Sequence, residues 1–193
     1  LLFNNQIYGL TKGQYSPTTD RGFKTKTSPF GTIEDPFIPG QLVLGSRGTF
    51  FARSIDGNMK MSQEILTEAA KHEGTAVVEY LQNCVIFNDG IHEKITKGDD
   101  RDDHQIYLKH GEKMIFGVNR DKGLVSEKGK LKAVTIGQDG YTLDDILVHD
   151  AQEPELYLHA ALIHMSLPEL PVAFGVIRAV KAPVYDQQMK TQI

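Results

Sequence analysis

Residues 3–18, FNNQIYGLTKGQYSPT, place side-chain amides, a lysine and several hydroxyls directly after a short apolar run. Asn5 offers an amide oxygen, the turn at Gly9 frees backbone groups, and Lys12 offers an ammonium. Mg²⁺ takes oxygen ligands and usually keeps phosphate oxygens among them, so this set suits a hydrated divalent cation and its phosphates. The alternative from these residues alone is a strand that ends in an asparagine-rich turn.

A single cysteine, Cys84, stands in the segment VVEYLQNCVIFND. One cysteine forms neither an internal disulfide framework nor a metal site by itself. Taken alone, it indicates a buried and inert thiol.

Other groups of chemically active residues favour structural interpretations. The acidic run at residues 99–103 has neither the glycine nor the closing glutamate of a calcium-binding loop, so we interpret it as a solvated loop. His159 and His164 are five residues apart on a predicted helix and point to different faces. His149 beside Asp150 resembles an acid–base pair, but no nucleophile accompanies it.

Composition limits the class of protein. The chain has 193 residues, of which 40% are apolar and 24% charged, which is typical of a folded domain. A net charge of −4 gives no reason to expect a nucleic-acid partner. No apolar run approaches the roughly 18 to 20 residues that cross a bilayer. We therefore expect a cytoplasmic protein that binds neither nucleic acid nor a membrane.

The element pattern predicts an α/β fold with a mainly parallel sheet flanked by helices. TFFARS and TAVVEYLQ read as strands around the helix MSQEILTEAAKHEG, in which Ser62 is the expected N-cap and Gly74 the stop. NNQIYG and QNCVIFND both follow strands, where functional residues of parallel sheets gather. Residues 131–150 predict a hairpin-like excursion that turns at Asp139-Gly140. EPELYLHAALIHMSL predicts a last helix and VAFGVIRAV a last strand.

The opening segment resembles the second half of the thiamine-diphosphate motif, NN.(I/V)YGLTKGQ.SPT, of the β subunits of 2-oxoacid:ferredoxin oxidoreductases. The resemblance implies a thiamine-diphosphate-binding fold and makes the Asn5 side chain and the Ile7 carbonyl ligands of Mg²⁺. It implies that the cofactor-binding residues are Asn5, Ile7, Tyr8, Gly9, Leu10 and Thr11. Lys12 becomes a catalytic candidate on a loop over the thiazolium, facing a substrate carboxylate or a coenzyme A phosphate. The alternative for Lys12 is a solvated loop lysine.

The segment HEGTAVVEYLQNCVIFND resembles the family segment whose cysteine is the fourth thiolate of a [4Fe-4S] cluster, so the resemblance makes Cys84 a cluster ligand. The three other cysteines and the Gly-Asp-Gly-Asp segment that supplies the third Mg²⁺ ligand are absent here. A single truncation explains both absences. We expect residues 1–90 to be the C-terminal part of the thiamine-diphosphate-binding domain, and residues 91–193 to be a C-terminal extension packed on it.

The family oxidatively decarboxylates a 2-oxoacid with coenzyme A to acyl-CoA and CO₂, and electrons pass through the cluster to ferredoxin. Asn83 before Cys84 resembles the 2-oxoglutarate type. The alternatives are a pyruvate- or indolepyruvate-type relative, or a non-catalytic fragment that serves only subunit interaction; the isolated chain is expected to be inactive. The implied partners are the α subunit, ferredoxin, coenzyme A and the 2-oxoacid. Seven cations between Lys109 and Lys132 form either a solubilising surface or a docking rim for acidic ferredoxin.

Overall fold

The computed structural model describes residues 1–192. The strands are β1 (Leu2–Asn4), β2 (Ile7–Tyr8), β3 (Gln14–Tyr15), β4 (Phe50–Ile55), β5 (Ala76–Leu81), β6 (Gln105–Leu108), β7 (Ile115–Phe116), β8 (Lys122–Glu127), β9 (Lys130–Thr135) and β10 (Val172–Ala179). The α-helices are α1 (Pro39–Gly45), α2 (Met59–Lys71), α3 (Glu93–Thr96), α4 (Tyr157–Ile163) and α5 (Tyr185–Lys190). Among these residues, none of the helices combines the length and apolar character that a membrane crossing needs.

A five-stranded sheet in the order β1-β5-β4-β10-β6 forms the centre of the fold. The pairs β1–β5, β4–β5 and β6–β10 are parallel, whereas β4 and β10 run antiparallel. The predicted α/β fold with a mainly parallel sheet is therefore confirmed, and β4, α2 and β5 form the expected βαβ unit. Because β1, β4 and β5 run in one direction, their carboxyl ends meet at one edge.

The two faces of the sheet bury separate cores, because successive strand residues point to opposite faces. Phe50 packs on the α2 side with Ile65 and Val78. Its neighbour Phe51 packs on the other side with Leu162 of α4 and other apolar side chains. The small sheet β7-β8-β9 adds Phe116 and Leu124 to that second core.

Helix α2 begins earlier than predicted. The Asn58 side chain accepts a hydrogen bond from the Met61 amide at 3.0 Å, so Asn58 is the N-cap and the prediction of Ser62 is wrong. Ser62 lies inside the helix, where its hydroxyl lies 2.9 Å from that of Ser54. Gly74 lies beyond the end of the helix, with φ at +111°.

The hairpin of the C-terminal half also differs from its prediction. β9 pairs antiparallel with the preceding strand β8, and the chain reverses at Lys128 and Gly129, which both have positive φ. Asp139 and Gly140 form a turn after the hairpin, so the predicted turn position is wrong. The reason is that β8 lies in a charged segment whose apolar pattern is weak. Helix α4 is only 7 residues long, shorter than its apolar pattern suggested.

Strand β10 joins the C-terminal half of the chain to the sheet. Val172–Gly175 pairs with β6, and Gly175–Ala179 pairs with β4 across a register shift. Gly175 has φ at +100°, and a Cβ there would collide with the carbonyl oxygen of Leu108. The sheet therefore needs glycine at this point.

A buried polar cluster lies beneath β10. The Arg178 guanidinium donates to Nδ1 of His159 at 2.9 Å, and Nε2 of His159 donates to the Asp150 carbonyl at 2.8 Å. Nε2 of His149 donates to the Val176 carbonyl at 2.8 Å. Burial lowers the pKa of both histidines, so both imidazoles are neutral at neutral pH.

We expect the free energy of unfolding to fall when the pH drops below the ordinary histidine pKa of 6.5. The folded-state pKa values of His149 and His159 lie below that value, so the unfolded chain takes up protons first. The stabilisation is complete above pH 6.5 and is lost as the pH falls towards the folded-state pKa, by at most about 1.4 kcal/mol per pH unit for each histidine. Urea unfolding at about pH 8 and pH 5.5 measures it. His149→Gln should reduce the loss, and equal stability at both pH values would contradict the prediction.

Gly175→Ala should destabilise the fold by more than about 1 kcal/mol, because alanine is strained at positive φ and also meets Leu108. Gly45→Ala is the matched control, since Gly45 lies in α1 and a Cβ there meets nothing within 4 Å. Alanine favours the helical backbone, so the control should be neutral or slightly stabilising. Urea midpoints compare the two variants, and equal midpoints would argue against the close approach at Gly175.

Candidate cofactor site

The two sequence segments that follow β1 and β5 meet at the carboxyl edge of the sheet. The Gln82 amide donates to the Asn4 carbonyl at 3.0 Å. The Asn83 amide donates to the Asp56 carboxylate, which follows β4, at 2.7 Å. The ends of β1, β4 and β5 are thus hydrogen bonded to one another, as the parallel arrangement predicted.

Strands β2 and β3 form a hairpin that carries the LTKG segment at its tip. The Gly13 amide donates to the Tyr8 carbonyl and the Lys12 amide to the Gly9 carbonyl, each at 3.0 Å. Lys12 and Gly13 have φ values of +60° and +103°. The φ value of Gly13 is strained for other residues, and a Cβ there would also lie 3.3 Å from the Phe87 ring, so glycine is favoured at this position. Gly9 has no such contact, because a Cβ there would be 4.0 Å from the same ring.

The predicted cofactor residues occupy the base and the tip of this hairpin. Oδ1 of Asn5 accepts from the Ile7 amide at 3.2 Å, and the Ile7 side chain, 3% exposed, anchors the base. The remaining predicted residues are all exposed: Tyr8, Gly9, Leu10, Thr11 and Lys12. The tip is therefore accessible to a ligand while its base is fixed.

A buried polar network holds the base from below. Nε of Arg53 on β4 contacts Oε2 of Glu79 on β5 at 2.8 Å, and their side chains are 7% and 2% exposed. The other carboxylate oxygen of Glu79 accepts from Nδ2 of Asn4 at 2.8 Å. Oδ1 of Asn4 accepts from the Thr18 hydroxyl at 2.7 Å, so the orientation of the Asn4 amide is fixed on both sides.

Hydroxyls of residues 16–19 support the backbone at Gln6, which lies between Asn5 and Ile7. Gln6 has φ at +54°, a conformation that non-glycine residues rarely adopt. The Thr19 hydroxyl donates to the Gln6 carbonyl, and the Ser16 amide donates to that hydroxyl at 2.8 Å. These contacts maintain the strained residue beside Asn5.

Cys84 lies half-buried on a turn that closes on itself. The Asn88 amide donates to the Cys84 carbonyl at 2.9 Å. Asn83 bridges the ends of the turn: its Nδ2 donates to Asp89 at 2.7 Å and its Oδ1 accepts from the Gly90 amide at 2.9 Å. Cys84 is thus not the buried core thiol that a lone cysteine suggests.

The Cys84 turn is bonded to the hairpin. Nδ2 of Asn88 donates to the Asn5 carbonyl at 3.0 Å, and Nε2 of His92 donates to the Asn4 carbonyl at 3.2 Å. Burial lowers the pKa of His92 despite the opposing effect of that hydrogen bond, so His92 donates as a neutral imidazole.

The donor groups agree in part with a magnesium–diphosphate site and a metal cluster. An amide oxygen has two lone pairs, so Asn5 can accept from Ile7 and still bind Mg²⁺. Cys84 is a single cysteine, whereas a cubane cluster needs four ligands. Among residues 1–192, no three His, Cys, Asp or Glu side chains are grouped to hold a metal. The single cysteine of this chain cannot supply all four ligands of a cubane cluster, whereas phosphate oxygens and water can complete the coordination of Mg²⁺.

Five residues of the site escaped the sequence reasoning: Asn4, Arg53, Glu79, Asn88 and His92. Arg53 and Glu79 did leave a signal, because each is a charged residue inside an otherwise apolar strand. Such residues are rarely buried unless they are paired. The roles of Asn88 and His92 depend on contacts with residues more than 80 positions away.

The other chemically active groups have structural contacts. The acidic run is exposed at Asp99, Asp100 and Asp102, in agreement with the predicted solvated loop, and Asp103 pairs with Lys122 at 3.0 Å. His149 does not bond to Asp150, whose carboxylate lies 3.3 Å from His110 instead. Three of the seven cations of the basic stretch, Lys113, Lys122 and Lys132, are within 4.0 Å of carboxylates. That pairing favours the solubilising interpretation of the stretch.

Cavities occur both at the hairpin and away from it. A cavity of about 340 Å³ adjoins Tyr8 and Phe37. A larger groove of about 780 Å³ lies between α2 and β6 and contains none of the predicted site residues. There, Tyr107 donates to Glu64 at 2.8 Å, and burial together with that carboxylate raises the pKa of Tyr107. We place the candidate site at the hairpin because the predicted ligands converge there.

Glu79→Ala should lower the free energy of unfolding by about 3 to 5 kcal/mol, because Arg53 is left buried without its partner. Replacing both residues, Arg53→Met with Glu79→Leu, should cost much less, since no buried charge remains. Glu68→Ala is the control: its pair with Lys71 is exposed and should matter little. Urea unfolding compares the variants, and a loss below about 1 kcal/mol for Glu79→Ala would contradict this role.

Comparisons with known proteins agree with the family resemblance of the sequence motifs. Residues 1–80 match the family model "Thiamine pyrophosphate enzyme, C-terminal TPP binding domain"; thiamine pyrophosphate is thiamine diphosphate. The chain is 39% identical over its whole length to the 2-oxoglutarate oxidoreductase subunit KorB of Mycobacterium tuberculosis, 51% of which it covers. It is 45% identical over 89 residues to the 2-oxoacid:ferredoxin oxidoreductase 1 subunit beta of Aeropyrum pernix, matching 46% of this chain and 28% of that one.

A solved structure is similar as well. It is the 2-oxoglutarate:ferredoxin oxidoreductase from Magnetococcus marinus with 2-oxoglutarate, coenzyme A and succinyl-CoA bound. The TM-score is 0.65 at 25% identity, over 99% of this chain and 50% of that chain. The chain thus spans about half the length of the relatives that match it throughout. Residues 1–80 thus match the TPP binding domain of thiamine pyrophosphate enzymes, and the whole chain is similar to about half of a 2-oxoglutarate oxidoreductase subunit, which bears out the resemblance that its motifs indicated.

Proposed function

We propose that the chain is part of the β subunit of a thiamine-diphosphate-dependent 2-oxoacid:ferredoxin oxidoreductase that acts on 2-oxoglutarate. The observation that carries this proposal is the hydrogen-bonded junction of the Asn5 hairpin and the Cys84 turn. Two of the similar proteins named above are 2-oxoglutarate enzymes by name, which supports the choice of substrate.

The hairpin would hold the cofactor. Oδ1 of Asn5 and the Ile7 carbonyl would bind Mg²⁺, and Tyr8, Gly9 and Leu10 would line the diphosphate. Thr11 would continue the cofactor-binding segment as part of the loop over the thiazolium. When bound, thiamine diphosphate supplies the nucleophilic carbon that allows the C1–C2 bond of a 2-oxoacid to break. The ammonium of exposed Lys12 would bind a carboxylate of the substrate or a phosphate of coenzyme A.

Cys84 would contribute one thiolate to a [4Fe-4S] cluster whose other ligands lie outside this chain. The net reaction converts the 2-oxoacid anion and coenzyme A to acyl-CoA, CO₂, one proton and two electrons. In that reaction the C1–C2 bond breaks, the thioester bond forms, and ferredoxin would accept the two electrons. The cluster, when bound, would supply one-electron redox chemistry.

The proposed assembly includes an α subunit and ferredoxin. Apolar side chains are exposed on the segments around the hairpin, among them Leu10 at 97%, and on the Cys84 turn at Val85 and Ile86. Exposed apolar surface of this kind supports contact with another polypeptide. We assign the complex to the cytoplasm because the chain has a single cysteine. We also propose that residues 1–90 complete the cofactor domain and that residues 91–193 are a C-terminal extension of it.

Two alternatives differ in their observable consequences. A pyruvate- or indolepyruvate-type enzyme would have the same hairpin and turn but prefer another 2-oxoacid. A non-catalytic subunit-interaction fragment would bind neither thiamine diphosphate nor iron. Asn83 in the Cys84 turn and the 2-oxoglutarate relatives favour the main proposal.

The test uses the full-length β subunit purified anaerobically with its α subunit. Asn5→Ala should weaken Mg²⁺-dependent thiamine diphosphate binding at least about tenfold, because even residues that only support metal ligands commonly matter that much. The control is Asn119→Ala on an exposed loop, which should bind like the wild type. Isothermal titration measures the affinities, and iron analysis reports on the cluster.

Activity with a panel of 2-oxoacids then identifies the substrate. 2-Oxoglutarate should give the highest kcat/KM. A preference for pyruvate or indolepyruvate would select the alternative enzymes. A wild-type complex without bound thiamine diphosphate and iron would refute the enzyme proposal.

A further inference from the structure

One residue contacts both turns of the candidate site. The backbone amide of Asn88 donates to the Cys84 carbonyl at 2.9 Å and closes the Cys84 turn. Its side-chain Nδ2 donates to the Asn5 carbonyl at 3.0 Å, 83 positions away in the sequence. Asn88 is buried, so neither bond is readily replaced by water.

The direction of the side-chain bond is fixed by chemistry. A backbone carbonyl only accepts, so the group of Asn88 that faces Asn5 must be the amide nitrogen. The neighbouring contacts have other targets: His92 bonds to the Asn4 carbonyl, and Phe87 packs near Gly13. Of Phe87, Asn88 and His92, it is therefore Asn88 that hydrogen bonds to the Asn5 carbonyl.

We propose that Asn88 is a positioning residue that locks the turn bearing Cys84 onto the turn bearing Asn5. By joining the two turns, Asn88 fixes the separation between Cys84 and Asn5. That Cys84 holds a cluster and Asn5 holds Mg²⁺ rests on the proposed function, whereas the hydrogen-bonded junction of the two turns does not. In the proposed reaction, Asn88 would keep a constant distance between the thiamine diphosphate site, which donates electrons, and the cluster site, which accepts them.

Asn88→Ala tests the side-chain bond independently of the Cys84 turn. It removes the side-chain bond to Asn5 and retains the backbone bond to Cys84. Asn88→Asp is the second variant, since it preserves the shape and replaces the donor with an acceptor. Asn119→Ala is the matched control. All are made in the full-length complex.

The first measurement is amide hydrogen exchange. Asn88→Ala and Asn88→Asp should both speed exchange in residues 5–13 and 83–92 together, whereas the control should not. Faster exchange in neither segment, or only in residues 83–92, would overturn the lock. This measurement decides the question even if the wild type contains no thiamine diphosphate or iron, a result that would refute the proposed function alone.

The second measurement is the rate of one-electron cluster reduction, followed by freeze-quench electron paramagnetic resonance. With 2-oxoglutarate and coenzyme A as the electron source, reduction in Asn88→Ala should slow by more than about twofold, because the donor and acceptor positions are no longer held in one geometry. Reduction by dithionite and the iron and thiamine contents should stay at wild-type values. A substrate-driven rate within about twofold of the wild type would overturn the positioning role.

Discussion

The buried contact between Arg53 and Glu79, extended to Asn4, is the constraint on which the site depends. It joins one residue from each of the parallel strands β4, β5 and β1. Two charges withdrawn from water are tolerated only when they are paired and hydrogen bonded, which these are. A shift of one residue in either strand would turn a partner to the opposite face of the sheet. The network therefore fixes the register that aligns the carboxyl ends of the three strands.

Above this network the site is built largely from backbone carbonyls held by side chains. The carbonyls of Asn4, Asn5 and Gln6 accept from His92, Asn88 and Thr19, respectively. The hairpin tip beyond them is exposed and bears few such contacts. A fixed base with an open tip is the arrangement expected of a preorganised binding loop, because the ligand completes the missing contacts rather than ordering the backbone.

The C-terminal half contributes to the same framework. β10 lies between β4 and β6, and the Arg53 guanidinium also reaches the Ala173 carbonyl at 3.4 Å. The neutral His149 donates to the Val176 carbonyl of β10, and the neutral His159 donates to the Asp150 carbonyl in the loop before α4. Strand β4 is thus held by both halves of the chain. The stability of the C-terminal half therefore supports the geometry of the candidate site.

The sequence by itself determined the features that rest on local spacing. These are the βαβ unit and the position of Cys84 after a strand, because apolar periodicity and turn residues act over a few positions. The interpretation of the segment from Asn5 to Lys12 came instead from its resemblance to a family motif. The sequence misplaced the α2 cap, because Asn58 precedes Ser62 and takes the capping role, and it misplaced the hairpin turn, because the apolar pattern of β8 is weak. Only the tertiary structure joined Asn4 to Glu79 and Asn5 to Asn88, at separations of 75 and 83 positions. The physical reason is that hydrogen bonds between distant residues follow from strand order and register, which local patterns do not encode.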